Sequence, residues 1–333
     1  VKVYFKYDFK CFIQSRTRFT EIICIMNILI LEPIDYDKRA LKIFSQVGNI
    51  YYPDDKFKCE EINCLVIRLN TFIGKSFLKR YNALKFILSP TTSLTHIDIE
   101  NINENKIHLI SLRDCKKELK KITSSAEHAL LLTLLLTRNI HNFNDKNIKN
   151  WDRYKYKVHQ LSSLKVGIIG LGRIGNWLKK VLEEMGVTIF FNDIKEQLKH
   201  DKSFRTKEKL LKECDVIILS CAFNYGDKEI IGFEEVKNSK NKQLIINISR
   251  GGVVNEEAIF QGLISKKIKG YATDVIIQED NENISNSKLI YLQKKGYNVI
   301  ITPHIGGAAF EAMRETEFMI ASKFKDFLKY EKL

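Results

Sequence analysis

The sequence has few of the features that mark fibrous, repetitive or membrane-spanning chains. Only 4 prolines and 16 glycines occur among 333 residues, which argues against a low-complexity chain. The longest strongly apolar run, Ala129 to Leu136, falls far short of the roughly 20 residues that a membrane-spanning helix needs. We therefore expect a globular chain without a membrane segment.

Cysteine is present without a pattern. The seven cysteines are scattered, their number is odd, and no two have the spacing C-x-x-C. A chain of this length without a cysteine framework suggests a reducing compartment and argues against a structural metal site. We therefore expect a cytoplasmic protein that holds no metal.

The charge is strongly unbalanced, with 54 Lys and Arg against 40 Asp and Glu and a formal net charge of +14. A basic balance can indicate a nucleic-acid or membrane partner. Lysine is nevertheless spread along the whole chain, and no compact basic block, zinc-finger string or RNA-binding string occurs. We expect neither partner, because a diffuse positive field serves equally to attract small anionic substrates and cofactors.

Short runs of Val, Ile and Leu alternate with longer helical patterns along the chain. Continuous apolar runs are typical of parallel strands that helices cover on both faces. The sequence therefore predicts an α/β fold with two doubly wound, Rossmann-like parallel sheets. The predicted strands are Asn27–Leu31, Leu65–Leu69, Phe86–Leu88, His108–Ile110, Lys165–Ile169, Val187–Phe191, Val216–Leu219, Leu244–Ile248, Gly270–Thr273 and Val299–Ile301.

Two helices and one connection complete the predicted organisation. A leucine-rich helix from Ser124 to Asn142, which Ser124 and Glu127 would open as a capping box, either links two domains or forms a dimer face. A polar connection follows at Asn144–Leu161, and a last helix covers Phe310–Leu328.

The first 25 residues stand apart from this organisation. They are basic and aromatic, and they lack the uninterrupted apolar core of a signal peptide. Met26 then opens the first predicted strand. We expect the natural start at Met26 and treat residues 1–25 as an extension, the alternative being an N-terminal arm that packs on the domain.

A glycine-rich turn follows the strand at Lys165–Ile169. It reads Gly170-Leu171-Gly172-Arg173-Ile174-Gly175, and an amphipathic helix and a second strand follow it. In this setting G-x-G-x-x-G is typical of dinucleotide binding. We predict that Gly170 permits the turn, Gly172 lets the backbone approach a pyrophosphate, and Gly175 allows close packing of the helix, whose N-terminus binds the phosphates.

An acidic residue after the second strand bears on the choice of cofactor. Asp193 can accept hydrogen bonds from both ribose hydroxyls and would repel a 2′-phosphate. We therefore predict NAD rather than NADP, although the nearby Lys195 weakens this preference. The alternative is a glycine turn that binds no nucleotide, with a solvated Asp193.

Three polar side chains stand just past the ends of later strands, namely Arg250, Glu279 and His304. Because ligands bind beyond the carboxyl ends of parallel strands, these residues should lie close together at the carboxyl edge of the sheet. The set suits hydride exchange with a 2-keto acid: His304 would move the hydroxyl proton, Glu279 would favour the imidazolium, and Arg250 would bind the carboxylate. Taken singly, Arg250 could form a structural ion pair, Glu279 could be a solvated acid, and His304 could be a core histidine.

At these residues the chain resembles the D-isomer-specific 2-hydroxyacid dehydrogenases, and within them the phosphoglycerate dehydrogenases. The resemblance runs from about Met26 to the C-terminus. It implies a hydride transfer between NAD and C2 of a D-2-hydroxy acid, with 3-phosphoglycerate as one candidate, in a homodimer. The strings that carry it are V-G-I-I-G-L-G-R-I-G, I-N-I-S-R-G-G-V-V-N-E-E-A, T-P-H-I-G-G and S-A-E-H.

The resemblance also implies a domain layout and further contacts. Residues 26–122 and 303–333 would form a discontinuous substrate domain, and residues 123–302 an inserted NAD-binding domain. Arg68 would reach a substrate phosphate, and a loop containing Ser93 and Leu94 would hold the substrate carboxylate together with Arg250. The implied cofactor contacts, added to the glycines and Asp193, are Arg173, Ile174, Ser249, Asp274 and His304.

The chain departs from the usual family pattern at four places. Ser93 stands where the loop usually has Gly, and Asn70 replaces a second basic residue beside Arg68. The segment Ser220-Cys221-Ala222 lacks the usual His and Pro, and the approach from Asp274 to Glu279 is changed. Glyoxylate, hydroxypyruvate and sugar-derived acids therefore stay open as substrates. An NAD(H)-sensing binding protein without turnover is the alternative of another class.

Overall fold

The structure is a computed structural model that describes residues 26–140, 158–224, 226–277, 279, 284 and 287–330. Our predictions for residues 1–25 and for most of the connection at 144–161 lie outside the described residues. Within them the chain forms two parallel sheets with helices on both faces, which confirms the predicted fold class.

The first sheet has five strands in the order β2-β1-β3-β4-β5, and every neighbouring pair is parallel. Apolar layers cover both of its faces. Its strands are β1 (Met26–Ile30), β2 (Gly48–Tyr51), β3 (Cys64–Val66), β4 (Phe86–Ser89) and β5 (His108–Ser111), with helices α1 (Lys38–Ser45), α2 (Lys75–Leu78) and α3 (Ile99–Glu104) between them.

The second sheet has six strands in the order β11-β10-β9-β8-β6-β7, again all parallel. Its strands are β6 (Lys165–Ile169), β7 (Thr188–Asn192), β8 (Val216–Leu219), β9 (Gln243–Asn247), β10 (Ile268–Thr273) and β11 (Val299–Ile301). The helices around it are α4 (Ser124–Arg138), α5 (Arg173–Glu184), α6 (Lys207–Glu213), α7 (Phe233–Asn238), α8 (Glu256–Ile264) and α9 (Lys288–Lys294).

The strand order places a crevice at the carboxyl end of β6. The chain runs from β6 to its neighbour β7 on one side and from β8 to its neighbour β9 on the other, so the connections that follow β6 and β8 leave in opposite directions. In open α/β sheets such a switch point is where ligands bind. The glycine turn follows β6 directly and therefore lies at this crevice.

The last helix, α10 (Phe310–Tyr330), returns to the first sheet. Phe324 packs edge-on against Phe86 of β4, with ring centroids 5.2 Å apart, and it also contacts Phe44 of α1. The predicted helix at Phe310–Leu328 is therefore confirmed, with two further residues. This return is what a discontinuous domain requires, and we keep residues 26–122 and 303–333 as the proposed substrate domain.

Helix α4 differs from the prediction at both ends. Thr123 rather than Ser124 is the N-cap residue, and no side chain caps the backbone there. The Thr123 hydroxyl instead contacts the Glu127 carboxylate, while the Ser124 hydroxyl donates to the Gly306 carbonyl at 2.7 Å. The predicted capping box is therefore wrong. The helix ends at Arg138, since Asn139 is left-handed (φ 53°).

Short 3-10 turns join several of these elements. They do not contribute to either sheet, but two of them carry residues close to the site described below. These turns are Cys59–Glu61, Leu112–Asp114, Glu118–Lys121, Leu161–Ser163, Glu196–Leu198 and Gly251–Val253.

Candidate active site

The turn between β6 and α5 has the geometry that its three glycines predict. Gly170 is left-handed (φ 95°), and a Cβ there would lie 2.5 Å from the Cα of Cys221. A Cβ at Gly175 would lie 2.2 Å from the carbonyl oxygen of Gly170, so α5 packs closely on the turn. A Cβ at Gly172 would meet nothing within 4 Å. The backbone at Gly172 therefore has the open approach that a pyrophosphate needs.

The N-terminus of α5 is suited to phosphate oxygens. Gly172 is its N-cap residue and makes no side-chain cap, so the first N–H groups of this 12-residue helix point at the open space beside the turn. The side chain of Ile174 packs partly into the core, and its cofactor contact stays a prediction. The donor set and the open backbone at Gly172 fit a dinucleotide.

Asp193 lies at the edge of the same turn. Its Oδ2 atom accepts a hydrogen bond from the Leu171 N–H at 2.7 Å, and its Oδ1 atom accepts one from the Lys195 N–H at 2.9 Å. These bonds fix the carboxylate beside the glycine turn. The Lys195 side chain is exposed. The geometry favours a ribose hydroxyl at this carboxylate.

The side chain of Arg173 has another partner in this structure. Its guanidinium donates to the carbonyl oxygen of Ile122, in the segment that leads into α4, and burial lowers the pKa of the Arg173 side chain. The predicted cofactor contact of Arg173 would have to replace that hydrogen bond. It stays a prediction.

His304 and Glu279 come together as a pair. His304 Nδ1 lies 2.7 Å from Glu279 Oε1, with the two side chains 26% and 28% exposed. The backbone of His304 is left-handed (φ 53°), and its N–H donates to the Asp274 carbonyl at 2.9 Å. Because the carboxylate holds Nδ1, the Nε2 atom is left to face a substrate.

Asp274 holds the loop that carries His304. Its Oδ1 accepts from the Thr302 hydroxyl (2.6 Å) and the Ile305 N–H (2.9 Å), and its Oδ2 accepts from the Gly306 N–H (2.7 Å). Burial alone would raise the pKa of Asp274, but the hydrogen bonds from His128, Thr302 and Gly306 hold it below its usual value. Asp274 thus has a structural role that sequence reasoning missed, and its implied contact with the cofactor stays a prediction.

Two residues of α4 hold the same loop, and the sequence pointed to them only through the S-A-E-H string. Ser124 binds the Gly306 carbonyl, and His128 Nε2 lies 2.9 Å from the Thr302 hydroxyl and 3.3 Å from Asp274 Oδ1. Ser124 and His128 are four residues apart and therefore share one face of the helix. This four-residue spacing is the feature of the sequence from which their shared contact with the loop could have been predicted.

Arg250 lies at the start of the turn after β9 and reaches across to the loop that follows β4. Its Nε donates to the Ser93 hydroxyl at 3.0 Å and its Nη1 to the Ser249 carbonyl at 2.5 Å. Burial lowers the pKa of Arg250, whereas the charge of Glu279 raises it. Within the part of the chain that the structure describes, no carboxylate lies within ion-pair distance of Arg250. A largely buried guanidinium without a counter-ion is suited to bind an anion.

Two further predicted contact residues, Ser249 and Leu94, are buried. Ser249 is buried, its N–H donates to the Asn247 side chain, and its hydroxyl lies 3.9 Å from Cys221 Sγ. Leu94 is buried in the core of the first sheet. Any contact of Leu94 with a substrate would therefore use its N–H.

Arg68 is not joined to this cluster. Its Nε donates to Glu317 Oε1 at 3.0 Å, and its backbone N–H donates to Glu32. Glu317 is only 1% exposed and also accepts the N–H of Asp37 at 2.7 Å. For Arg68 to bind a substrate phosphate, its guanidinium would have to leave this buried carboxylate. The sequence did not predict Glu317 as a partner.

The described residues hold no group of three or more His, Cys, Asp or Glu that could bind a metal ion. Among the same residues, no helix is both long and apolar enough to cross a membrane.

Residues 130–306 match the sequence profile of the D-isomer specific 2-hydroxyacid dehydrogenase family, NAD binding domain. The chain belongs to this family. The matched span contains the glycine turn and Asp193 as well as Arg250, Glu279 and His304. The cofactor of the family's domain is NAD, in agreement with the fit of the turn.

Individual relatives agree with this assignment. The D-3-phosphoglycerate dehydrogenase of Methanocaldococcus jannaschii is 28% identical over 92% of this chain, and the hydroxypyruvate reductase of Thermotoga maritima is 27% identical over 80% of this chain and 85% of its own length. The chain spans 58% of the Methanocaldococcus protein. A D-lactate dehydrogenase from Aquifex aeolicus, solved with NAD and lactic acid, shares the fold, with a TM-score of 0.79, 21% identity and coverage of 92% and 97% of the two chains.

Proposed function

We propose that the protein is an NAD-dependent dehydrogenase that exchanges a hydride between NAD and C2 of a D-2-hydroxy acid or the matching 2-keto acid. The observation that carries the proposal is the His304–Glu279 pair, 2.7 Å apart, beside the guanidinium of Arg250, which has no counter-ion among the described residues. Proton transfer and carboxylate binding are the two tasks that the reaction asks of the chain itself.

In this proposal, NAD supplies the nicotinamide carbon that takes up or releases the hydride. His304 Nε2 gives a proton to the keto oxygen during reduction and takes it from the hydroxyl during oxidation. Glu279 holds the ring through Nδ1 and balances the positive charge of the protonated imidazole. Arg250 binds the substrate carboxylate and turns the carbonyl towards His304.

The substrate is proposed only as a class. The relatives include proteins described as D-3-phosphoglycerate dehydrogenase, hydroxypyruvate reductase and glyoxylate reductase. Each name describes the relative concerned. We therefore propose a small anionic 2-hydroxy or 2-keto acid for this chain, with 3-phosphohydroxypyruvate, hydroxypyruvate, glyoxylate and sugar-derived acids as the compounds to compare.

The test is NADH oxidation by the purified protein against a panel of these 2-keto acids, with His304→Ala as the control. We expect turnover of at least one acid and a rate about 10²- to 10⁴-fold lower in the variant, the usual contribution of acid–base catalysis. An unchanged rate in His304→Ala would contradict the role of His304. Tight NADH binding without turnover of any acid would instead favour an NAD(H)-sensing binding protein.

We also propose a cytoplasmic homodimer. The unpatterned cysteines support a reducing compartment. Leu131, which is 47% exposed on α4, supports a dimer face on that helix. Sedimentation velocity of the wild type and of Leu131→Glu tests the second point, because a charge at a buried interface should shift the dimer towards monomer.

A further inference from the structure

We infer that Arg113 and Arg250 form one two-point anion site, so that the preferred substrate is a 2-keto acid with a second anionic group, either phosphate or carboxylate. The inference rests on the proposed dehydrogenase function and assigns a substrate class to that site. Arg250 would bind the carboxylate next to the keto group, and Arg113 would bind the second anion.

The two arginines hold neighbouring residues of one loop. Arg250 Nε donates to the Ser93 hydroxyl at 3.0 Å, and Arg113 Nε donates to the Thr92 carbonyl at 2.9 Å. The Cα atoms of adjacent residues are about 3.8 Å apart. Both guanidinium groups are therefore anchored on the same two-residue stretch of the loop, Thr92 and Ser93, and we place the two anionic groups of one substrate there.

Neither arginine of this pair forms an ion pair with a described residue. Among the residues that the structure describes, no carboxylate lies within ion-pair distance of Arg113 or of Arg250. Burial lowers the pKa of Arg250, the charge of Glu279 raises it, and the charge of Arg113 lowers it by less than Glu279 raises it. Two like charges that act on each other destabilise the empty site, and a bound dianion would offset that repulsion. Arg113 is exposed, so its Nη atoms remain accessible to a ligand.

A third polar group in the same loop lacks a partner. His96 is only 7% exposed, and neither of its ring nitrogens has a hydrogen-bond partner in the described part of the chain. Burial and the charge of Arg250 lower the pKa of His96 to about 4. Buried polar side chains nearly always have a partner. A ligand anion or carbonyl held at Arg250 would supply one to this neutral imidazole.

Arg68, the arginine that the resemblance points to, is the weaker candidate for the second anion. Its guanidinium is already paired with the buried carboxylate of Glu317. To release it would leave Glu317 charged and unpaired in the interior, which is costly. Arg113 has no such partner to leave.

The experiment uses calorimetry to measure dissociation constants for ternary complexes of the protein with NAD⁺ and a 2-keto acid. Because NAD⁺ and the keto acid are both oxidised, no hydride transfer occurs between them. Two matched pairs are compared: hydroxypyruvate with 3-phosphohydroxypyruvate, and pyruvate with oxaloacetate. We expect the acid with the second anionic group to bind about 10- to 100-fold more tightly than its partner with the carboxylate alone, the usual effect of one charge-assisted contact. The pair with the larger ratio identifies the second group as phosphate or carboxylate.

Variants assign the effect to its residue. Arg113→Gln should bring the two members of each pair to within about threefold of each other without weakening the monoanion, and Arg113→Lys should keep part of the preference. Lys116→Gln, which removes a charge from an exposed neighbour, should change nothing. Equal binding of both members by the wild type would overturn the inference. So would a preference that survives in Arg113→Gln, or one that Arg68→Gln abolishes instead.

The two proposals can fail separately. Turnover of a monoanionic acid together with equal binding constants would leave the dehydrogenase standing and reject the two-arginine site. A clear dianion preference without turnover of any acid would reject the dehydrogenase and retain the site. The binding measurement thus decides the inference whether or not the protein turns over.

Discussion

His304 Nδ1 lies 2.7 Å from Glu279 Oε1, although the two residues are 25 positions apart in the sequence. They meet because β10 and β11 are parallel neighbours, so the loops that follow the two strands leave the sheet side by side. Asp274 accepts a hydrogen bond from Thr302 in the loop that carries His304, and His128 contacts Asp274. The pair is therefore the product of the sheet order rather than of sequence proximity.

We expect Glu279→Gln to lower kcat about 10- to 100-fold with little change in KM. The amide keeps a hydrogen-bond acceptor for the ring but removes a charge-assisted bond that contributes about 1.5–3 kcal/mol. Steady-state kinetics in both directions measure the effect. Glu257→Gln, which breaks an ion pair with Lys288 on the surface, is the matched control and should leave kcat unchanged. A kcat equal to that of the wild type would refute the role of Glu279.

Replacement of Arg250 should act mainly on substrate capture. For Arg250→Gln we expect kcat/KM to fall about 10- to 100-fold, chiefly through KM, because one charged hydrogen-bonding group is lost. Arg250→Lys should not restore it, since a single ammonium cannot both bind the Ser93 hydroxyl and present a planar fork to a carboxylate. The idea fails if either variant keeps the wild-type specificity constant.

Most of the fold was predictable from the sequence because buried parallel strands consist of continuous runs of apolar residues. The exception is β2, Gly48–Tyr51, which forms the edge of the first sheet and has no fully buried residue. An edge strand with one covered face needs no such run, so its sequence carried no signal. The α4 cap was missed for a different reason: Ser124 has a long-range partner in Gly306 that local spacing cannot show.

The candidate site was predictable where chemistry follows strand ends and unpredictable where it depends on side-chain partners. Arg250, Glu279 and His304 stand at predictable places, just past β9, β10 and β11. The partners Glu317 for Arg68 and Thr92 for Arg113 arise only when α10 and the turn after β5 pack on the first sheet. The family resemblance therefore implied Arg68 as an anion ligand, whereas the contacts favour Arg113.

Asp193 should decide between the two nicotinamide cofactors. In Asp193→Asn the side-chain oxygen can still accept the Leu171 N–H, but the charge that repels a 2′-phosphate is gone. We expect the KM for NADH to rise about tenfold and the preference for NADH over NADPH to shrink by a similar factor. Kinetics with both cofactors measure this, with the exposed Asp201→Asn as control. An unchanged preference would show that another residue discriminates.

Asp274 should matter for stability as well as for rate. We expect Asp274→Asn to lower the free energy of unfolding by about 1–3 kcal/mol at pH 7, because its amide would face the Gly306 N–H or the Ile305 N–H. Since the folded pKa of Asp274 is depressed, its contribution is complete above the unfolded pKa of about 3.9 and is lost as pH falls through the folded value. Urea unfolding should show the two proteins converging in acid. A constant difference down to the lowest pH would contradict this.

His96 should make the wild type sensitive to mild acid. Its folded pKa is about 4, below the usual 6.5, so between these values the unfolded chain binds a proton that the folded chain does not. Stability should therefore fall as pH drops from about 6.5 to 4, by up to about 3 kcal/mol from this residue. His96→Asn removes the titrating group, so its unfolding free energy should lose that part of the slope. Measurements at pH 8, where the imidazole is neutral in both the folded and the unfolded state, isolate the packing cost of the substitution. If the unfolding free energies of the two proteins changed in parallel from pH 8 to 4, a neutral buried His96 would be ruled out.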